Sequence, residues 1–476
     1  MRLNRINHVQ LCQSAKYISA KVPNIFPPNC QVFSRQSAKY ILILSNLWYN
    51  WIMATSEYIP RLADKELKEK LENFGAVNIV GCKWCGKTRT AKEFAKSYIE
   101  LENPDDKSIA LIKSEPSLAL KGERPRLIDE WQDVKEIWDA VRYDVDKSGE
   151  VGQFILTGSS TPRKEKPKHS GAGRIADVVM RPMSLFESGD SNGAVSLGSL
   201  FESKTKVEGE SSHKLGDIAY LCARGGWPSS VVHKPKNPSL LPREYLKKLV
   251  NREDSFEGLD YYSPGRMQAL LRSIARKTAT PIRIATTVND IVQNTGTRIT
   301  DVTVTSYLSV LERLYLIEDV EAWSPKLRSK TDIRTTKKRF LVDPSLAVAS
   351  LYASESDLLS DAETFGLIFE SMALRDLRVY SEAIGGELFY YRDKNGLECD
   401  AIVHLMNGKW GAIEIKLGSA EETIETAAAS LHSFAAQIDT DSMNAPSFLM
   451  ILSGDSKYAY RREDGICVVP LGCLKP

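Results

Sequence analysis

The sequence predicts an α/β protein with several domains. Its 476 residues exceed what one hydrophobic core usually holds, and 42% of them are hydrophobic and 26% charged, as in ordinary soluble proteins. In the first half an apolar strand leads into a glycine-rich loop and a helix, and in the last third a strand carries the pattern E-x-K. These observations predict one α/β domain near the amino end and a second at the carboxyl end.

The glycine-rich loop fits the phosphate-binding pattern G-x-x-x-x-G-K-[ST]. It reads G-C-K-W-C-G-K-T, follows the β-branched run 76–80 and precedes a helical pattern that starts at Thr88 and continues to Glu100. Glycines let backbone N–H groups curl around phosphates. Lys87 is expected to be catalytic by reaching the β- and γ-phosphates, and Thr88 is expected to hold Mg²⁺. We therefore predict ATP and Mg²⁺ as cofactors. The nucleotide-binding residues assigned from this loop are Gly81, Cys82, Lys83, Trp84, Cys85, Gly86, Lys87 and Thr88.

Two cysteines of the loop form a second motif. Cys82 and Cys85 have the C-x-x-C spacing of zinc sites and dithiol redox centres. Zinc takes four protein ligands in a structural site, and no second pair of ligands accompanies these two in the sequence. The pair is predicted to be incidental to a phosphate loop, with oxidation to a disulfide as an open alternative.

The acidic partner of the loop is predicted at residues 124–131, R-P-R-L-I-D-E-W. An apolar strand ends there in two carboxylates, a pattern in which Asp129 holds Mg²⁺ and Glu130 acts as the catalytic base on water. The alternative is a strand that merely ends in acidic residues. The next strand, 153–156, ends at T-G-S-S, where Thr157 is expected to sense the γ-phosphate unless the segment is an ordinary Ser/Gly turn.

The succession GCKWCGKT, PRLIDEW, GQFILTGSS, HSGAGR and MRPMSLFE resembles AAA-family ATPases of bacteria and archaea in which the ATPase domain is fused to a C-terminal domain of unknown function. The resemblance implies an arginine finger at Arg174, with Arg181 as the second candidate. Such a finger often comes from a neighbouring subunit, so the resemblance also implies a homo-oligomer. The alternative is that Arg174 pairs with a carboxylate such as Asp177.

The middle of the chain is predicted to be helical. Residues 213–260 resemble the small helical lid of AAA proteins, and the patterns at 267–276, 286–293 and 301–315 followed by the basic segment 326–339 describe a winged helix.

DNA is a predicted partner of this winged helix, although the start of its third helix weakens the interpretation. Asp301, Thr303, Thr305 and Ser306 offer no Arg, Lys, Asn or Gln for base edges. The basic segment suits phosphate contact, and a packing adaptor with a solvated basic hairpin is the alternative.

The last third carries a second set of acidic residues. Asp400, Glu414 and Lys416 match the D…E-x-K core of PD-(D/E)XK nucleases, and Glu370 lies in a helical stretch before them. We expect Glu370, Asp400 and Glu414 to hold Mg²⁺, with Lys416 positioning water. A nuclease-like fold retained as a binding scaffold is the alternative.

The loop between these two strands decides whether Asp400 and Glu414 share a face. A two-residue loop, 407–408, would turn Asp400 towards Ile415 and away from Glu414. A three-residue loop, 406–408, with a left-handed Gly408 places the two carboxylates opposite each other. We predict the three-residue loop, with the pairs Leu405–Lys409, Val403–Gly411, Ala401–Ile413 and Glu398–Lys416.

The amino-terminal segment differs in composition from the rest. The first 56 residues contain no Asp or Glu, as in a transit peptide, and the apolar run 40–53 is shorter than the roughly 20 residues that a membrane span needs. We interpret Met53 as the biological start and predict no membrane association. Eight scattered cysteines favour a reducing cytoplasm, and a net charge of +2 indicates that any nucleic-acid surface is local.

These segments predict both the function and the domains of the chain. We expect Mg²⁺-dependent ATP binding and hydrolysis that is coupled to DNA or to a partner. The alternatives are an ATP-gated Mg²⁺-dependent DNA nuclease and a non-hydrolysing nucleotide switch. The domain boundaries are 1–55 for a non-native or disordered extension, 56–210 for an AAA-type P-loop ATPase, 211–262 for a helical lid, 263–345 for a winged helix and 346–476 for a PD-(D/E)XK nuclease-like α/β domain.

Overall fold

Residues Ile59–Pro476 form one compact unit of the computed structural model. The predicted extension 1–55 and most of the basic segment, 325–335, lie outside the described residues. The structure describes residues 58–102, 108–159, 170–202, 205–251, 262–296, 298–324, 336–393, 396–438 and 443–476.

A five-stranded parallel sheet forms the first layer. Its strands are β1 Ala76–Val80, β2 Ser97–Glu100, β3 Arg126–Asp129, β4 Phe154–Gly158 and β5 Ile175–Val179, in the order β2-β3-β4-β1-β5. The central strands read as continuous apolar runs because helices cover both faces. The parallel registers bring the carboxyl ends of β1, β3 and β4 to one edge, which places the glycine loop, the acidic pair and Thr157 side by side.

Helices pack on both faces of this sheet. One face is covered by Leu67 and Leu71 of the first helix, and the other by Val141 and Val145 of the fourth. The helices of this layer are α1 Ala63–Asn73, α2 Lys87–Phe94, α3 Ser108–Ser114 and α4 Glu136–Ser148, with 3-10 turns at Pro116–Leu120 and Trp131–Asp133.

The helix after the glycine loop is shorter than the sequence pattern indicated. It ends at Phe94, and residues predicted to continue it form β2. The backbone N–H of Lys96 donates to Pro125 O at 2.9 Å, and β2 then pairs in parallel with β3. Tyr98 and Ile99 favour a strand, so sheet pairing outweighed the helical spacing.

The middle of the chain is helical, as predicted. Three helices and three short strands lie between residues 264 and 341, where three helices and a basic hairpin were predicted, and most of the turn between the last two strands lies outside the described residues. The elements are α5 Leu197–Leu200, α6 Leu215–Arg224, α7 Pro228–His233, α8 Leu240–Asn251, α9 Pro264–Arg276, β8 Thr280–Pro281, α10 Ile284–Thr295, α11 Asp301–Arg313, β9 Ile317–Ala322 and β10 Lys338–Leu341.

A ten-stranded mixed sheet forms the other layer, in the order β7-β15-β16-β14-β13-β12-β11-β9-β10-β8. Its other strands are β7 Gly209–Glu210, β11 Gly386–Arg392, β12 Glu398–Leu405, β13 Trp410–Lys416, β14 Phe448–Ser453, β15 Tyr458–Arg461 and β16 Cys467–Pro470. The associated helices are α12 Pro344–Ser350, α13 Glu355–Ser360, α14 Ala362–Ala383 and α15 Glu421–Ala436, with a 3-10 turn at Leu471–Cys473.

Strand pairing crosses the predicted domain boundaries. Strand β9 pairs in parallel with β11, so the segment predicted as a winged helix shares a sheet with the C-terminal segment. Strand β7 pairs with β15, and β6 Val195–Ser196 pairs with β17 Leu474–Lys475. Residues 195–210 are therefore attached to the C-terminal layer. Among the described residues, no helix combines the length and the apolar composition that a bilayer span requires.

Candidate active site of the parallel sheet

The glycine loop has the backbone that its sequence demands. Gly81 has φ 148° and Gly86 has φ 106°, and a Cβ on Gly81 would lie 2.0 Å from the carbonyl oxygen of Met180. Trp84 also lies in the left-handed region, at φ 72°, which is costly for a side chain of this size. The loop curls tightly because two glycines and one strained residue turn it.

Lys87 lies at the centre of this loop. Its side chain is buried, and its ammonium donates to the carbonyl oxygens of Gly81 at 2.9 Å and Cys82 at 3.0 Å. A cation held inside a curled loop at a helix N-terminus is placed to receive phosphate oxygens.

The hydroxyl of Thr88 meets the carboxylate of Asp129. Thr88 Oγ1 donates to Asp129 Oδ1 at 2.7 Å, and Thr157 Oγ1 donates to the same oxygen. Burial raises the pKa of Asp129, while the bonds from Thr157 and Thr88 oppose that rise. One hydroxyl and one carboxylate are hard oxygen ligands that suit Mg²⁺ bound together with phosphates.

Glu130 follows in the left-handed conformation, at φ 54°. Its Oε2 accepts from Ser159 N at 3.2 Å and from Ser159 Oγ at 2.8 Å, and also from the side-chain amide of Gln132. The backbone N–H of Glu130 donates to Thr157 Oγ1 at 3.2 Å. Thr157 therefore joins the two acidic residues in this structure, and its role as a sensor of the γ-phosphate stays a prediction.

Arg61, which the sequence analysis did not single out, donates a hydrogen bond to the glycine loop and contacts two other segments. It is buried, and its guanidinium donates to Cys85 O at 2.8 Å, to Arg181 O at 2.7 Å and to Glu187 Oε1 at 3.0 Å. Glu187 also accepts from the N–H of Leu62 at 2.9 Å. Although burial alone would raise the pKa of Glu187, Arg61 and these N–H bonds hold it below its ordinary value.

The two cysteines of the loop are buried and reduced in the structure. Cys85 Sγ lies 3.4 Å from Met180 O, so it packs against the segment after β5. The pKa of Cys82 is raised by its hydrogen bond with Cys85 and by burial. The pKa of Cys85 is lowered by the same hydrogen bond and by the positive charges of Lys87 and Arg61. Within the described part of the chain, no three His, Cys, Asp or Glu side chains are arranged to hold a metal ion.

Aromatic residues of the predicted lid reach the tip of the loop. Trp84 is half-exposed, and its ring lies 5.6 Å from that of Tyr245 on α8. Tyr245 in turn lies 5.0 Å from Trp227, whose indole N–H donates to Ser345 Oγ at 2.9 Å. The helical segment after α6 is thus in contact with the loop.

Comparisons with known families agree with this geometry. Residues 73–188 match the family described as AAA domain, and the match contains the glycine loop, β3 and β4. The chain carries an AAA domain. Residues 215–357 and 365–474 match two families that are each described as a domain of unknown function, DUF8612 and DUF4143. No curated protein matches the sequence.

Two solved structures share weaker similarity. The Walker-type ATPase PABY2304 of Pyrococcus abyssi is 16% identical, with 60% of this chain and 94% of that chain covered at a TM-score of 0.37. A chain in the half-complex of McrB AAA+ hexamers with bound McrC from Thermococcus gammatolerans is 12% identical, with 45% of this chain and 72% of that chain covered at a TM-score of 0.18.

The two arginine-finger candidates of the AAA domain differ in exposure. Arg174 is half-exposed and its Nε lies 2.7 Å from Asp146, so it pairs with a carboxylate, as in the alternative interpretation, although the partner is not Asp177. Arg181 is buried between Glu318 and Glu382, at 2.6 Å from each. These ion pairs tie Arg181 within its own chain, which disagrees with its role as second candidate for a finger.

The hairpin β12–β13 in the DUF4143 segment has the predicted register. Leu405 N donates to Lys409 O at 2.8 Å, and Gly408 has φ 80°. The predicted three-residue loop is therefore confirmed, and the carboxylates of Asp400 and Glu414 lie on one face. The pairs Ala401–Ile413 and Val403–Gly411 form as expected.

Two ammonium groups lie among the carboxylates of the metal site predicted at this hairpin. Lys338, assigned by sequence to the basic segment, places its ammonium 2.9 Å from Glu370 and 3.7 Å from Asp400. Lys416 lies 2.8 Å from Glu414 and 3.5 Å from Asp400. Lys416 lies where the predicted site requires it, whereas the ammonium of Lys338 was not expected beside Glu370 and Asp400 and would compete there with a divalent cation.

Proposed function

We propose that the chain binds ATP with Mg²⁺ and hydrolyses it. The observation that carries the proposal is the 2.7 Å hydrogen bond between Thr88 and Asp129, which joins the glycine loop to the acidic strand at the carboxyl edge of the sheet. Lys87 and Glu130 flank that point. A loop with the phosphate pattern alone would support binding, whereas the adjoining acidic pair also supports hydrolysis.

Each of these side chains has a distinct chemical role in the proposal. Lys87 and the loop N–H groups bind the β- and γ-phosphates, and Thr88 and Asp129 hold Mg²⁺. The bound metal neutralises charge that develops on the phosphoryl oxygens. Glu130 orients the attacking water and accepts its proton, while Ser159 fixes the direction of the Glu130 carboxylate.

Two substitutions test the proposal through ATP binding and phosphate release. Lys87→Ala should lose both, whereas Glu130→Gln should bind ATP within about threefold of wild type and hydrolyse it about 100-fold more slowly, because only the base is lost. Glu150→Gln, at an exposed position after α4, is the control and should behave as wild type. Wild-type turnover in Glu130→Gln would exclude the assigned base.

The two alternatives give different results in the same assay. A nucleotide switch would bind ATP without turnover in the wild type, and the three hydrogen bonds on Glu130 Oε2 are the feature that favours it. An ATP-gated nuclease would cleave DNA with Mg²⁺, and the ammonium of Lys338 among its expected metal ligands disfavours it.

We further propose that the AAA domain acts in a homo-oligomer, with Arg174 serving a neighbouring subunit. Arg174 directly precedes β5, and the first residue of β5 pairs with Ala76 at the start of β1. The glycine loop follows Val80, at the other end of β1. Five residues of strand separate these points by roughly 16 Å, beyond the reach of one side chain. Arg174 can therefore meet only the nucleotide of another copy.

A mixing experiment tests this arrangement. Arg174→Ala and Lys87→Ala should each be inactive, and mixed oligomers should regain ATP turnover because one subunit supplies the loop and the other the arginine. Arg142→Ala is a matched control, since Arg142 lies 2.8 Å from the same Asp146. Full activity of Arg174→Ala alone would contradict the proposal.

Coupling to DNA or to a protein partner is proposed through residues 263–345 and the C-terminal sheet. The observation that supports this proposal is the parallel pairing of β9 with β11. Through this pairing, a ligand bound to residues 263–345 can change the position of the C-terminal sheet. Measuring ATP turnover with and without DNA at two salt concentrations tests it. Stimulation that decreases with salt would favour DNA, and no effect at low salt would favour a protein partner.

A further inference from the structure

One ammonium group lies among three carboxylates in the C-terminal layer. Lys338 is about 1% exposed, and its Nζ lies 2.9 Å from Glu370 Oε1, 3.1 Å from Glu398 Oε1 and 3.7 Å from Asp400 Oδ1. The ring centroid of Tyr390 lies 5.4 Å from the same ammonium. These contacts surround the charge with acceptors from α14 and β12.

Donors other than Lys338 also reach Asp400 and the neighbouring Glu414. Asp400 Oδ2 accepts from the backbone N–H of Ile415 at 2.9 Å and lies 3.5 Å from Lys416. Glu414 accepts from Lys416 at 2.8 Å and from Ser430 Oγ at 3.2 Å. A further cation would have to compete with these donors for the carboxylate oxygens.

Lys338 is held in this position by its strand. Its backbone pairs with Val320 on one side and Pro281 on the other, so the side chain enters the cluster from a fixed point of the sheet. A group tethered in this way competes with free ions at a high effective concentration. Removing the ammonium from the carboxylates would also leave a buried charge without partners.

We propose that Lys338 is an internal cation that fills the carboxylate cluster of Glu370, Glu398 and Asp400 and excludes divalent metal ions from it. The cluster then acts as a clamp that fastens β10 to α14 and β12, and the chain does not use it for metal-dependent cleavage. This inference concerns the C-terminal layer and does not depend on ATP hydrolysis.

Mn²⁺ binding to the full chain without nucleotide tests the proposal, with free Mn²⁺ measured by electron paramagnetic resonance. Lys338→Met should gain one Mn²⁺ site at least tenfold tighter than any at this cluster in wild type, and adding Glu370→Gln, which removes one carboxylate of the cluster, should abolish that site. Lys337→Met is the matched control, because Lys337 is half-exposed and pairs with Glu321 outside the cluster. Any weak site in the AAA domain is common to all variants and cancels in the comparison.

Two results would overturn the proposal. One is a wild-type Mn²⁺ site that Glu370→Gln weakens tenfold, since the cluster would then take metal with Lys338 present. The other is a folded Lys338→Met variant that binds no more Mn²⁺ than wild type, since Lys338 would then not be the excluding group. If Lys338→Met does not fold, equal Mn²⁺ binding by wild type and Glu370→Gln supports the proposal, and unequal binding overturns it.

Discussion

Arg61 joins three segments that are distant in sequence. It contacts the glycine loop at Cys85, the turn after β5 at Arg181 and the buried carboxylate of Glu187. A planar guanidinium can make these contacts together because its donors point in fixed directions. No motif contains Arg61, so the sequence alone did not distinguish it from other basic residues near the start of the compact unit.

We expect Arg61→Lys to weaken ATP binding while preserving the fold. Lysine retains a charge for Glu187 but does not reproduce the two bonds to the carbonyl oxygens, so the loop loses its support. A roughly three- to tenfold rise in the Kd for ATP should result, measured by titration with a fluorescent nucleotide, with little change in turnover at saturation.

The control for Arg61 is Arg243→Lys, in which a part-buried arginine loses its 2.7 Å bond to Ala353 O, away from the loop. It should leave ATP affinity unchanged. Equal ATP affinity in Arg61→Lys and wild type would show that the glycine loop keeps its shape without this support.

Lys337 and Lys338 show how a run of like charges misled the sequence analysis. Both were counted in a basic segment, yet Lys337 is half-exposed while Lys338 is buried. Successive residues of a strand point to opposite faces, so only one of the two can face solvent. The apolar residues of β10 after Lys338 were the available signal for this strand.

The β12–β13 hairpin was predictable because its determinants are local. The alternation of apolar residues and the glycine at the third loop position fix the register, and both are visible in the sequence. The pairings of β2 with β3 and of β7 with β15 were missed, because they depend on contacts with residues far along the chain. The strand, loop and acidic pair of the AAA domain were found for the same local reason.

Gly408→Ala should lower the free energy of unfolding by about 1 kcal/mol, because alanine is strained in the left-handed region. A Cβ at this position would meet no other atom within 4 Å, so the backbone is the only source of the effect. Unfolding in urea, followed by tryptophan fluorescence, measures it.

Gly216→Ala is the matched control for the hairpin variant. Gly216 lies in the first turn of α6, and a Cβ there also meets nothing within 4 Å. Alanine favours helix, so this variant should be as stable as wild type or slightly more stable. A Gly408→Ala variant as stable as Gly216→Ala would contradict the left-handed conformation of the loop.

The turn after β5 links the glycine loop to the C-terminal layer across the whole molecule. Arg61 donates to the start of this turn at Arg181 O. Helix α14 accepts from the middle of the turn, where Asp376 accepts from Leu185 N at 3.0 Å and Tyr380 accepts from Phe186 N at 3.1 Å. Helix α14 also carries Glu370, which pairs with Lys338. Helix α14 therefore contacts both the turn that Arg61 joins to the glycine loop and the carboxylate cluster around Lys338.

Tyr380→Phe tests whether this helix contributes to nucleotide binding. The substitution leaves the N–H of Phe186 without its acceptor, which should cost about 1 kcal/mol of stability and loosen the turn that supports the loop. Tyr307→Phe is a matched control, since Tyr307 accepts from the N–H of Ser263 at 2.9 Å. Both variants should lose similar stability in urea, but only Tyr380→Phe should weaken ATP binding, by roughly two- to fivefold. Equal ATP affinity in the two variants would show that α14 supports the fold without reaching the nucleotide loop, whereas the expected difference would make α14 the route by which the two layers are coupled.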